Sequence, residues 1–137
     1  MYLTYPEYFK MGGTLQLSAF NAAIYEAERK LDYYTLGKLK EDETVSEAVK
    51  RALAKITELI SIFNTYRDMA SNVTDPVTVN QSNDGVSVSY GGYMAHTAPQ
   101  DIATASDKLE RDIQQIVKTY LIGEKNQAGE LLIYRGV

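Results

Sequence analysis

Apolar and polar residues alternate along residues 77–90, which is the clearest strand pattern in the chain. Asp84-Gly85 lies between two alternating runs, and Asp-Gly is typical of type I′ hairpin turns because both central residues need φ > 0. A two-residue loop there pairs Val79 with Tyr90 and leaves the valines on one side of the ribbon. The sequence therefore predicts a β-hairpin whose apolar face consists of Val77, Val79, Val86, Val88 and Tyr90.

The rest of the chain has apolar residues at the three- to four-residue spacing of amphipathic helices. After a short first helix, a second is expected to begin between Thr14 and Ser18 and to end near Tyr34. The longest is expected over about 45–70, and a last one ends near Ile122. The expected inward stripes are Phe20, Ile24, Ala27 and Leu31; then Val49, Leu53, Ile56, Ile60, Phe63 and Tyr66; then Ile102, Leu109, Ile113, Ile116, Val117, Tyr120 and Leu121.

Three sequences of the form T-x-x-[E/Q] mark expected helix starts. They begin at Thr4, Thr44 and Thr97, and in each the threonine hydroxyl can accept from a backbone N–H while the Glu or Gln reaches back. Glycines mark the ends, with Gly37 expected to stop the second helix and Gly123 the last one.

These patterns predict a mainly α fold: one domain over 1–137, a small bundle of about four helices with one β-hairpin inserted before the last helix. An isolated hairpin is only marginally stable in water, so it must lie on the helices or pair with strands of another subunit. In the C-terminal segment 124–137, residues 124–130 are polar and expected to be mobile. The apolar end, 131–137, either folds back onto its own core or docks on a partner.

Composition narrows the functional classes. The net charge is −4 and no run of Lys or Arg exceeds two, which disfavours a sequence-independent grip on nucleic acid. With no cysteine, no disulfide or thiolate zinc site is expected, and no apolar run approaches the roughly 20 residues that cross a bilayer. MYLTYPEY lacks the basic and apolar regions of a secretion signal. The 11 tyrosines suit interfaces as well as core edges.

Candidate catalytic chemistry is sparse. His96 is the only histidine, and the carboxylates Asp107, Glu110 and Asp112 are interleaved with Lys108 and Arg111, as on a solvated helix face. We therefore expect no catalytic, cofactor or metal site and no enzyme. Two rivals stay open: a small helical regulatory or nucleic-acid-binding module, and a hydrolase that uses Asp107, Glu110 or His96.

Six segments together resemble the head–tail connector proteins of tailed bacteriophages and prophages, also called neck, adaptor or head-completion proteins. The segments, in order, are YLTYPEYFKMGGTL, ERKLDYYTLGKL, VSEAVKRAL, SNDGVSVSY, IVKTYL and LLIYRGV. Two stretches depart from the family's pattern. Asn80-Gln81 stands where a more acidic run is common, and Gly123 to Glu130 lengthens the approach to the C-terminal segment.

The resemblance implies a structural protein of the virion neck, assembled in the bacterial host cytoplasm. Its subunits would form a ring, dodecameric in related connectors, between the portal protein and the next neck or tail-completion protein, and DNA would only pass through the channel. If ring closure requires the portal as a template, the purified chain can be monomeric. The implied partner contacts are Val77, Val79, Val86, Val88, Tyr90, Leu132, Tyr134 and Arg135. Because a basic channel would hold phosphates, candidate channel-facing residues are the acidic Glu41, Asp42, Glu43, Asp84 and Glu124.

Overall fold

The computed structural model describes residues 1–72 and 99–133. Four helices occupy most of these residues: α1 (Tyr5–Lys10), α2 (Leu17–Tyr34), α3 (Glu47–Asn72) and α4 (Pro99–Leu121). The mainly α class predicted from the sequence is confirmed. The predicted hairpin at 77–90, with Asp84 at its turn, lies outside the described residues, as do His96, Thr97, Tyr134 and Arg135.

The chain divides into two compact units. The first holds Met1–Ser61 and the residues from Glu110 onward, and the second holds Ile62–Leu109. Within the described residues, no helix combines the length and apolar character that a bilayer crossing requires.

The core of the first unit is built from the predicted helical stripes. Tyr8 from α1, Phe20 and Leu31 from α2, Leu53 from α3 and Ile113 from α4 are all buried. Burial of such side chains contributes about 1.5–3 kcal/mol each relative to exposure, so this shared core is the main force holding the four segments together. Its remaining apolar members are Leu3, Ala23, Ile24, Ala27, Leu39, Val49, Ala52, Ala54, Ile56, Ile60, Val117, Leu121, Leu132 and Ile133.

Helix α1 begins with the predicted capping box. The Thr4 hydroxyl accepts from the Glu7 backbone N–H at 3.4 Å, and the Glu7 carboxylate accepts from the Thr4 backbone N–H at 3.1 Å. Pro6 lies in the first turn, where its missing N–H removes no helical hydrogen bond. Glu7 also pairs with Lys50 of α3, so the cap is tied to the next layer of the fold.

Helix α3 begins two residues later than predicted. Its first residue is Glu47, and the side chain that accepts from a backbone N–H of the first turn is Ser46, whose Oγ lies 3.3 Å from the Val49 N. The expected cap at Thr44 is wrong, because Thr44 Oγ1 instead accepts from the Gln127 side-chain amide at 3.2 Å. Helix α2 begins in the expected window, but its N-cap Gln16 makes no side-chain cap bond.

Residues 124–132 of the C-terminal segment form a hydrogen-bonded turn. The Asn126 N–H donates to the Glu130 carbonyl at 2.9 Å, and Lys125 and Leu131 form an isolated antiparallel bridge. Contacts to residues 38–44 hold the turn, including the Lys38 ammonium on the Leu131 carbonyl at 2.6 Å. The Asn126 side-chain amide donates to the Lys38 carbonyl at 3.0 Å and the Gln127 backbone N–H donates to Asp42 at 3.1 Å, so polar residues tie the turn to the neighbouring loop.

Leu132 corrects one predicted partner contact. It is 1 % exposed within the protomer, and Ile133 beside it is also buried. Of the two alternatives for the apolar end, folding back onto the core holds for these two residues. Leu132 therefore belongs to the protomer's own core and does not form part of an exposed partner-contact surface.

Candidate protein-interaction surface

One side of α2 is exposed yet rich in apolar groups. At 100° per residue, Phe20, Ile24 and Leu31 point to the core. The residues on the opposite side fall within an arc of about 100°. Tyr25 and Tyr33 are 70 % and 73 % exposed, so this side of the helix presents two aromatic rings to solvent. We call this surface the outer face of α2, and its residues are Ser18, Ala22, Tyr25, Glu26, Arg29 and Tyr33.

The ring of Tyr33 is held in place by its neighbour. Tyr34 packs against it edge-on, with ring centroids 5.2 Å apart at 83°. The Tyr34 hydroxyl donates to Glu110 of α4 at 3.3 Å, and Lys30 pairs with the same carboxylate. Burial, and then the negative charge of Glu110, raise the pKa of Tyr34. Tyr33 is therefore a pre-positioned aromatic side chain, which lowers the entropy cost of binding.

Leu36 extends the apolar surface beyond the helix end. Its φ is +55°, in the left-handed region, and it is 70 % exposed. The Gly37 N–H donates to the Asp32 carbonyl at 2.9 Å and the Leu36 N–H to the Tyr33 carbonyl at 3.4 Å, which is the Schellman pattern. The stop predicted at Gly37 is thus one residue off, since the position that favours glycine holds an exposed leucine.

A shallow depression of about 400 Å³ lies at this end of α2. Arg29 and Lys40 supply its positive charge, and the Asp32 carboxylate accepts from the Tyr2 hydroxyl at 2.7 Å. Its remaining lining residues are Tyr33, Leu36 and Gly37. Apolar and cationic groups side by side are typical of protein interfaces, where Tyr and Arg are enriched.

The structure brings together most of the candidate channel-facing residues. Asp42 accepts from the Gln127 backbone N–H at 3.1 Å, and Glu124 accepts from the Ser46 hydroxyl at 3.1 Å, so the two acidic segments are hydrogen-bonded neighbours. Glu41 and Glu43 are exposed beside Asp42. We call this surface the acidic junction, consisting of residues 41–43 and 124–130. Asp84 lies outside the described residues.

The candidate catalytic carboxylates do not converge among the residues described. Glu110 is occupied by Lys30 and Tyr34, and Asp107 is exposed on α4. Across residues 1–72 and 99–133, no three His, Cys, Asp or Glu side chains are grouped as metal ligands.

The outer face of α2 was missed as a site in the sequence. In the sequence, Tyr33 falls at the expected end of a helix, and composition identifies the 11 tyrosines only as a group. The sequence did contain a signal for this surface, because Tyr25 and Tyr33 lie far from the stripe of Phe20, Ile24 and Leu31 when α2 is drawn as a helix.

Comparison with protein-family models, with curated proteins and with solved structures finds no match to this chain.

Proposed function

We propose that this chain is a structural subunit that works by binding other proteins, and specifically a head–tail connector of a tailed bacteriophage or prophage. The observation that carries the proposal is the outer face of α2, where two large aromatic side chains stay exposed on the side of the helix opposite its buried stripe. Tyrosine is enriched at protein interfaces, so the exposed Tyr25 and Tyr33 on one face of α2 support a protein-binding role.

The connector assignment draws on the sequence resemblance. In this proposal the subunits form a ring, dodecameric in the virion, between the portal protein and the next neck or tail-completion protein. A ring needs a heterologous interface, in which two different surfaces of each subunit meet. The outer face of α2 supplies one such surface. The predicted hairpin at 77–90, together with Tyr134 and Arg135, supplies further contacts.

The acidic junction fits a surface beside passing DNA. Glu41 and Glu43 are exposed, and carboxylates repel phosphates, so DNA would slide past without being held. In virions carrying Glu41→Lys and Glu43→Lys, we expect slower or incomplete DNA ejection at low salt. Unchanged ejection would remove these residues from the channel wall.

The proposal is tested by mixing the purified full chain with the portal protein encoded in the same genome and imaging the mixture by electron microscopy. We expect an added ring of density on one end of the portal. Replacement of Tyr25 and Tyr33 by serine should remove that density, whereas the control Lys55→Ser, at an exposed position of α3, should not.

Two outcomes contradict the proposal. One is a portal that stays bare at high concentrations of the parent chain. The other is tight binding to duplex DNA that weakens steeply with salt, which supports the nucleic-acid-binding rival instead.

A further inference from the structure

The outer face of α2 is complementary to itself when two copies run antiparallel. Glu26 and Arg29 are its only charged residues, and they lie one turn apart. A two-fold axis placed between Ala27 and Glu28 sets Arg29 of each copy opposite Glu26 of the other. The same register sets Tyr33 opposite Ala22, so a large ring meets a small side chain.

A register centred on Arg29 is worse, because it sets Arg29 opposite Arg29 and like charges that face each other across an interface oppose binding. The matched register avoids this repulsion and leaves no charge on this face without an opposite charge. The pairing is isologous, so each favourable contact occurs twice.

We propose that a second copy of this chain docks on the outer face of α2, forming an antiparallel two-fold dimer through Tyr33–Ala22 and Arg29–Glu26 contacts. The face from Ser18 to Tyr33 is about 24 Å long at 1.5 Å per residue. A single helix face of that length buries less than the roughly 800 Å² per partner of a standard interface. The dimer is therefore weak, with a dissociation constant on the order of 10–100 µM.

The dimer adds a regulatory step to the proposed function. It rests on the proposed function in one respect, which is that the outer face of α2 binds protein. An isologous pair covers the outer face on both copies and cannot extend into a ring. The dimer is then a storage form that must dissociate before a subunit joins a connector. Weak affinity suits that role, because the ring contacts need to compete with it.

Sedimentation equilibrium of the full chain over about 5–500 µM tests the inference. We expect concentration-dependent dimerisation in the parent. Arg29→Glu should raise the dissociation constant at least tenfold, because it creates two repulsions with Glu26. Glu26→Arg should do the same. The double variant E26R/R29E restores the opposite charges and should dimerise within about threefold of the parent.

The control is Lys55→Glu, which reverses an exposed charge on α3 and should leave the dimer unchanged. Circular dichroism confirms that each variant folds, and Tyr33→Ser gives a second, uncharged disruption with an expected tenfold loss. A parent that stays monomeric overturns the inference, as does a dimer indifferent to Arg29→Glu or a double variant that fails to recover. A Tyr33→Ser variant that dimerises as well as the parent also overturns it.

The outcomes separate this inference from the proposed function. A parent that dimerises but leaves the portal bare contradicts the connector and keeps the dimer. A parent that is monomeric at every concentration but decorates the portal does the reverse.

Discussion

The Tyr8 hydroxyl uses its full hydrogen-bonding capacity inside the fold. It donates to Glu58 at 2.9 Å and accepts from the backbone N–H groups of Thr14 and Leu15, each at 3.0 Å. Burial raises the pKa of this phenol. Gly13 lies against the ring, where an added Cβ would come within 2.3 Å of ring atoms. One side chain thus joins α1, the turn before α2, and α3.

Tyr8→Phe should lower the free energy of unfolding by about 2–3 kcal/mol. The ring would remain, but two backbone donors and the Glu58 carboxylate would lose their partner, and such unsatisfied groups cost about 1–3 kcal/mol each before water compensates. Urea unfolding followed by circular dichroism measures the change. Tyr25→Phe, on the exposed side of α2, is the control and should shift stability by less than about 0.5 kcal/mol. Equal effects of the two substitutions would contradict the role assigned to the Tyr8 hydroxyl.

Leu36, at the end of α2 beside the candidate interaction surface, has a strained backbone conformation. A leucine at φ +55° costs about 1–2 kcal/mol relative to glycine, and its 70 % exposure returns little burial energy. We expect Leu36→Gly to raise stability by up to about 1 kcal/mol, because relief of strain exceeds the added chain entropy of glycine. Thermal unfolding of the dilute monomer measures this. A loss of stability would show that Leu36 packs favourably within the protomer.

At the scale of secondary-structure elements, the capping side chains determine where each helix begins. The cap of α3 is Ser46, while the neighbouring Thr44 binds Gln127. Ser46→Ala should cost about 1 kcal/mol in unfolding free energy, the usual worth of an N-cap side chain. Thr44→Ala removes only an exposed side-chain contact and should cost less than half as much. A larger effect at Thr44 would restore the cap that the T-x-x-E pattern predicted.

The contact between α1 and α3 should make stability depend on pH. Bonds from Lys50 and from the Thr4 backbone lower the pKa of Glu7 from 4.5 to about 2. Folding favours the carboxylate, so this contribution is complete above pH 4.5 and is lost as the pH falls through about 2. The stability difference between the parent and Glu7→Gln should therefore shrink between pH 6 and pH 2, as urea unfolding at each pH would show.

Lys50→Met is the matched variant for that experiment. It removes the main cause of the shift and leaves the Thr4 cap in place, so the parent–variant difference should shrink over the same acidic range. A pH-independent difference for both variants would mean that the Glu7–Lys50 pair contributes no net stability, as many exposed ion pairs do.

At the scale of the whole molecule, the apolar pattern located the core but not the surfaces. Stripes such as Phe20–Leu31 were predictable because helical spacing and burial are both local in sequence. The Tyr8–Glu58 bond and the Gln127 contacts were not, because they join residues 50 to 85 positions apart. The outer face of α2 could be recognised only once the structure showed which side of the helix is buried.

The two alternative roles of the apolar C-terminal segment predict opposite effects of truncating Leu132. Leu132 is buried, its N–H donates to the Glu124 carbonyl at 2.9 Å, and Lys38 binds the carbonyl of Leu131. Leu132→Ala should therefore cost about 2–5 kcal/mol in the isolated protein, through lost burial and the cavity left behind. The control Ala128→Ser, at the exposed tip of the turn, should cost almost nothing. If Leu132 were instead a partner contact, its truncation would leave the unfolding of the isolated chain unchanged and abolish portal binding. Measuring both the free energy of unfolding and portal binding on the Leu132→Ala variant distinguishes a core role of Leu132 from a role in contacting a partner.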